Sequence, residues 1–244
     1  MRNNETDLSK VKRCLINSDR PILFCGDSSE WLDKLYLNIN KLKSPSERPD
    51  AYLVDGKNVF ILEHFQFDNG YSDKHGSQLE RELNNIDKKL NSSNEHLGCF
   101  DVNIDKTSEF YVNNFKNNFT SHILKLEAYK ENILNELDTK PESIIIGFII
   151  EDISMFGASF RDSNNNMKIV NFLRTQTFYD LFIESQLDFV LLAVTNAFDD
   201  NFNSYITRNC LDKIDRNGLL DLTQIVTCNG KNNKMIVLDM MNHQ

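Results

Sequence analysis

The chain predicts a single α/β domain with a mixed central β-sheet flanked by helices. Two apolar runs carry that prediction. SIIIGFII at 143–150 and FVLLAV at 189–194 lack the alternation of a half-exposed strand and match strands covered on both faces. The third observation is a ribbon at 51–67, rich in β-branched and aromatic residues, with helical spacing before and after it. Strands interleaved with helices point to layers around one sheet.

Taken in order, residues up to about 19 predict a short polar helix with Leu8, Val11 and Leu15 on one face. The segment 21–25 reads as a short buried strand ended by Gly26, and Asp27, Ser28 or Ser29 can cap the helix that follows to about 42. A loop holding Pro45 and Pro49 delivers the chain to the ribbon. There, strands at 51–54 and 59–67 flank Asp55-Gly56-Lys57-Asn58, and Gly56 supplies the positive φ of a tight turn.

Beyond the ribbon, Ser77 opens a helix to about 90, with Glu80 three residues later as a capping box, and 91–107 reads as irregular. One long helix is expected over 109–137, with Phe115, Phe119, Ile123, Leu126 and Ile133 inward and Pro141 just beyond it. Helices over 169–185 and 205–214 and a terminal hairpin of 223–228 with 234–240, turned by Asn229-Gly230, complete the reading.

Composition narrows the function. A net charge of −9 argues against an electrostatic grip on nucleic acid over the whole surface but leaves room for a local site. The five cysteines are scattered, odd in number and without a CxxC pair, which suggests a reducing compartment with free thiols and no zinc site of the usual spacing. No stretch approaches the roughly 20 apolar residues of a membrane span, and MRNNETDLSKVKRC lacks a leader's apolar run, so the cytoplasm is the expected location. The abundant asparagine suggests an AT-rich bacterial genome. P-loop and Rossmann glycine patterns are absent, and the 17 Phe fall at core spacing with no interleaved basic residues.

Two carboxylates interrupt the ribbon: Asp50 just before its first strand and Glu63 inside its second. An even-length turn puts both on one face. A charge within an apolar strand is costly unless it meets a partner or a metal, so Glu63 is the residue to explain. An arginine burying Glu63 would leave a structural pair and no enzyme, whereas convergence on a cation would argue for chemistry. Glu151-Asp152 ends one central strand where ligands gather in open α/β sheets, and Thr195-Asn196, ending another, shares that rim if the two strands are parallel. Asp68 reads as a loop cap or a third carboxylate, and Glu30 and Glu47 as lesser candidates. His64 is expected to face away from Glu63 and to bond a backbone group. Lys74-His75-Gly76-Ser77 reads as a helix start that can also contact phosphate.

Pro49-Asp50 followed by Glu63 resembles the motif of the PD-(D/E)xK nuclease superfamily, over roughly residues 29–90. The resemblance implies a restriction-endonuclease-like core over about 21–150, with 151–244 as an α/β extension. It further implies Mg²⁺, or Mn²⁺ as substitute, held by Asp50 and Glu63 for phosphodiester hydrolysis. The motif lysine is missing, because Phe65 stands two residues after Glu63. Lys74 is the preferred displaced basic group, with Lys88 and Gln66 as alternatives; Gln66 has the wrong strand parity. The implied partner is nucleic acid at a local site, with no membrane and with protein partners unspecified. A second expectation is a non-catalytic interaction protein that kept the fold, in a mobile-element or phage-defence setting. A third comes from ILFCGDSS at 22–29, which resembles the first block of the SGNH (GDSL-type) serine hydrolases. It would take Ser28 as nucleophile and His243 with Asp239 as the distant base pair, although the intermediate blocks are absent.

Overall fold

The computed structural model describes residues 6–16, 21–23, 30–68, 70–73, 76–78, 81–82, 84–85, 88–89, 97–102, 108–154, 159–161, 167–169, 171–194, 202–220, 225–226 and 233–238. Its centre is a six-stranded mixed sheet in the order β1-β11-β10-β7-β3-β2. The strands are β1 (Ile22–Leu23), β2 (Ala51–Asp55), β3 (Asn58–Phe67), β7 (Ser143–Asp152), β10 (Phe189–Val194) and β11 (Phe202–Thr207). Smaller pieces are β4 (Ser72–Asp73), β5 (Gly76–Ser77), β6 (Leu97–Val102), β8 (Ser159–Arg161), β9 (Met167–Ile169), β12 (Ile225–Val226) and β13 (Asn233–Leu238).

Strands β10 and β7, the latter with its apolar run at 144–150, lie inside the sheet. β7 runs parallel to both β3 and β10, while β2 and β11 return antiparallel at the flanks. Period-two alternation divides the core. Helices α1 (Asp7–Ile16) and α2 (Glu30–Leu37) cover one face, meeting Phe60, Leu62, Ile149 and Leu191. Helices α3 (Ser108–Ile123), α4 (Leu126–Glu136) and α5 (Gln176–Glu184) cover the other, meeting Ile61, Phe65, Phe148, Ile150 and Leu192. Strands β10 and β11, from the stretch read as an extension, belong to this same sheet.

The ribbon closes with Asp55 opposite Asn58, so two residues form its turn, and Gly56 has φ +62°. At the centre, Gly147 is matched with Phe189, whose ring occupies the space a Cβ would take, 2.0 Å from its Cζ.

Several expectations need correction. Residues 22–23 form an edge strand with Ile22 47% exposed, because β11 is its only sheet neighbour. The single helix over 109–137 is two, α3 and α4, broken at Leu124-Lys125; the break leaves Leu124 outside and turns Leu126 into the core. Helix α5 starts only at Gln176, where Thr175 Oγ1 accepts from the Phe178 N–H, and 167–169 is strand β9. Residues 202–207 are a strand, with Tyr205 in one core layer and Ile206 in the other, and 208–213 form a 3₁₀ helix.

Among the described residues no terminal hairpin forms between β12 and β13: β12 pairs with β8, and β13 pairs with β6, a strand inside the segment expected to be irregular. An Asn-Gly turn signal is local, whereas these strands found more distant partners. Ser77 lies in β5 opposite Ser72, and the helical positions follow from Gln78; Glu80 lies outside the described residues. Among the described residues, no helix is long and apolar enough to cross a membrane.

Candidate functional site

The register of the ribbon decides what Asp50 and Glu63 do. Ala51 pairs with Leu62, so one step further sets Asp50 beside Glu63 on the face covered by α3 and α4. Both are buried, Asp50 at 4% exposure and Glu63 at 0%. The shared face is as the turn length implied.

What joins them is Arg48. Its Nη1 donates to Asp50 Oδ1 at 3.0 Å and to Glu63 Oε1 at 3.2 Å, while 58% of its side chain remains exposed. The arginine that would mark a structural pair is therefore present, in a half-solvated form. Helices α3 and α4 add two more groups. The Tyr129 hydroxyl donates to Glu63 Oε1 at 2.8 Å, and His122 Nδ1 lies 2.8 Å from the same oxygen. Three contacts thus crowd Oε1, whereas the buried Oε2 has no hydrogen-bond partner. Asp50 Oδ2 accepts the His64 backbone N–H at 2.7 Å.

Burial, reinforced by the charge of Glu63, pushes Asp50 up to about 6; the His64 N–H and Arg48 only partly offset this. Burial and then Glu63's charge also push the Tyr129 phenol well above its ordinary range. Two carboxylates and one half-exposed guanidinium make an undercompensated site.

Phe65 points into the core on this same face, stacked on His122 with ring centroids 4.9 Å apart. The residue at the motif lysine's position thus helps hold the imidazole against Glu63. Lys74 and His75 lie outside the described residues, Lys88 is exposed, and Gln66 faces the other layer, as its parity required. Glu30 is exposed and pairs with Lys34, and Glu47 is exposed. Ser28, His243, Asp239, Thr195 and Asn196 lie outside the described residues.

The strand-end rim holds two separate arrangements. On the α1 face, Glu151 accepts from Arg13 at 2.6 and 3.2 Å and from Gln66 Nε2 at 2.6 Å, and His64 Nε2 lies 3.3 Å from its Oε2. Burial pushes this carboxyl up, but the hydrogen bonds from His64, Arg13 and Gln66 win and hold it far below its ordinary range. His64 therefore faces a carboxylate with its ring, where a backbone partner was expected; the sequence does not reveal that β7 brings Glu151 alongside.

On the opposite face, Asp152 accepts from the Tyr111 hydroxyl at 2.8 Å and from the Ser154 N–H at 3.0 Å. Asp68 accepts from the Gly70 N–H at 2.8 Å and from the Ser77 hydroxyl, the behaviour of a loop cap. Phe67 is paired with Asp152 and Glu63 lies four residues earlier in β3, which is roughly 13 Å at 3.3 Å per residue, so these acids do not join the hairpin pair.

Arg48, His122 and Tyr129 were not among the residues picked out from the sequence. Period two places Arg48 on the side of Asp50, a signal readable in the sequence. His122 and Tyr129 lie on separate helices, α3 and α4, and only the fold brings them together. No family model, curated protein or solved structure matches the chain.

Proposed function

We propose that the chain is a divalent-cation-dependent phosphodiesterase acting on nucleic acid at a local site, with Asp50 and Glu63 as cation ligands. One observation carries this reading: a fully buried carboxylate oxygen, Glu63 Oε2, has no partner beside a second buried acid. Unpaired buried acceptors are rare and costly, and two oxygen donors suit a hard cation that keeps waters and substrate phosphate as its remaining ligands. Mg²⁺ bound there would supply charge to a phosphoryl oxygen and acidity to a water.

The chain's own groups have definite tasks in this reading. Asp50 and Glu63 hold their oxygens ready on a rigid ribbon. Arg48 gives way to the cation, and its exposed planar fork suits a phosphate oxygen, the charge-stabilising task of the absent motif lysine. Lys74 is the second basic candidate. His122 Nδ1, 2.8 Å from Glu63 Oε1, is the nearest imidazole able to carry a proton.

A second reading is favoured by Arg48 itself. A guanidinium bonded to both acids is the arrangement of a non-catalytic protein that kept a polar lock, and among the described residues no third His, Cys, Asp or Glu completes a metal cluster with the pair.

Thermal unfolding during Mg²⁺ or Mn²⁺ titration separates the two. The cation reading expects stabilisation by either ion that Glu63→Gln abolishes, together with metal-dependent cleavage of DNA or RNA lost in the same variant. An unchanged melting temperature at millimolar metal, with no cleavage, would leave the arginine lock as the function of the pair.

A further inference from the structure

Glu63 turns toward one layer, and the next residue, His64, turns toward the other, where Cys14 and Glu151 approach it. The Cys14, His64 and Glu151 ligand atoms all lie within 4.8 Å of one another, and all three residues are buried. They come from α1, β3 and β7, elements far apart in the chain, and meet at the carboxyl ends of two parallel strands, where α/β sheets place ligands. We propose that these three side chains form a transition-metal site of the zinc class, distinct from the hard-cation pair on the opposite face of β3.

The donor set argues for the class of ion. Thiolate with imidazole selects a borderline or soft ion over Mg²⁺, and a Cys, a His and a carboxylate are a zinc donor set with a fourth position left for water or another ligand. Geometry agrees. Tetrahedral sites with bonds of about 2.0–2.3 Å have ligand–ligand edges of roughly 3.3–3.8 Å. The observed separation of His64 Nε2 from Glu151 Oε2 is 3.3 Å, one such edge. Small side-chain adjustments bring the thiol within the same range.

The surroundings already resemble an outer shell. Arg13 donates to both Glu151 oxygens, at 2.6 Å to Oε1 and 3.2 Å to Oε2, and Gln66 Nε2 donates to Oε2 at 2.6 Å, so an ion at Oε2 takes the place of the Gln66 contact. Outer partners of this kind orient ligating carboxylates and imidazoles. On binding, the Cys14 thiol gives its proton to solvent, Glu151 is already ionised, and His64 binds through the neutral ring nitrogen. The ion would tie α1 to the ends of β3 and β7.

Cobalt(II) is the probe, because its spectrum reports the ligands. The full-length protein, prepared with reductant and stripped of metal, is titrated with Co²⁺. The expected result is one equivalent giving visible d–d bands of tetrahedral intensity with a near-ultraviolet thiolate-to-cobalt band, displaced by one equivalent of Zn²⁺. Cys14→Ser, a near-isosteric change, should abolish the thiolate band and weaken Zn²⁺ binding at least tenfold, while Glu63→Gln leaves the spectrum intact. Cys14→Ser protein that melts as wild type in the absence of metal shows that the loss is one of ligation and not of folding. A six-coordinate pink spectrum, or a thiolate band that survives Cys14→Ser, overturns the proposal, the latter by assigning the ion to another cysteine.

Discussion

Replacing Asp50 with asparagine should make the protein more stable at neutral pH, an unusual result for removing a group that takes part in an ion pair. The folded state raises the Asp50 carboxyl from 3.8 to about 6, first by burial and then by the neighbouring Glu63 charge. A carboxyl with a raised folded value binds its proton more tightly when folded. Its contribution is therefore fully present below about pH 4 and is lost as pH rises through about 6. At roughly 1.4 kcal/mol per tenfold change in proton affinity, the loss is about 3 kcal/mol, an upper bound because Arg48 is half in solvent and can reorient.

Asparagine keeps an acceptor for the His64 N–H and has no charge to desolvate. Urea unfolding at pH 4, 5, 6 and 7, followed through the single tryptophan, Trp31, measures the effect. The stability of Asp50→Asn relative to wild type should rise by about 2–3 kcal/mol between pH 4 and pH 7, and titrating groups that do not interact with Asp50 cancel in the difference. Adding Mg²⁺ at pH 7 should close the gap by stabilising the wild type alone. A difference that stays flat with pH would mean that Arg48 compensates Asp50 completely. The unmet demand for positive charge, on which the cation reading rests, would then not exist.

Two further perturbations test the frame around the site. Arg13→Gln should cost about 2 kcal/mol at pH 7, less than for a fully buried pair because Arg13 is about a third exposed. Glu151 is held far below its ordinary 4.5, so this stabilisation is fully present above that pH and is lost as pH falls through the lowered folded value; the gap in urea unfolding should narrow progressively on acidification below about pH 4.5, and a pH-independent gap would refute the pairing as its source. Gly147→Ala should cost about 1–3 kcal/mol, because the new Cβ would sit 2.0 Å from the ring of fully buried Phe189. An unchanged urea midpoint would mean that the β7–β10 register is wrong.

The parts legible in the sequence are those set by short-range geometry. The two-residue turn at Gly56 and period-two alternation put Asp50 and Glu63 on one face, and uninterrupted apolar runs identified β7 and β10 as inner strands. Parity also sent Gln66 to the layer opposite Glu63. What could not be read depended on which distant elements meet. Nothing near Glu63 announces that α3 and α4 will bring His122 and Tyr129 to its Oε1, or that α1 will bring Arg13 to Glu151. The segment 205–207, read as the start of a helix over 205–214, shows the same limit from another side. FNSYIT suits either a helix or a strand by itself, and the open flank of β10 decides the matter by pairing with it.

The acids on the two faces of this sheet obey one rule with opposite outcomes. Glu151 is as deeply buried as Asp50, yet it is driven down where Asp50 is driven up. The difference lies in the donors each receives. Glu151 has a two-pronged arginine, an amide and an imidazole, whereas Asp50 has the His64 N–H and one nitrogen of a half-exposed arginine that it shares with Glu63, whose other contacts are Tyr129 and His122. Burial alone therefore does not mark a functional carboxylate; burial with insufficient positive charge does. Because a ligating carboxyl must lose its proton, a cation at the hairpin must compete with protons up to about pH 6, while Glu151 is ready at any ordinary pH. Two cation sites built on adjacent residues of one strand would then respond differently to acid: the hairpin site through Asp50, and the Cys14 site through its thiol.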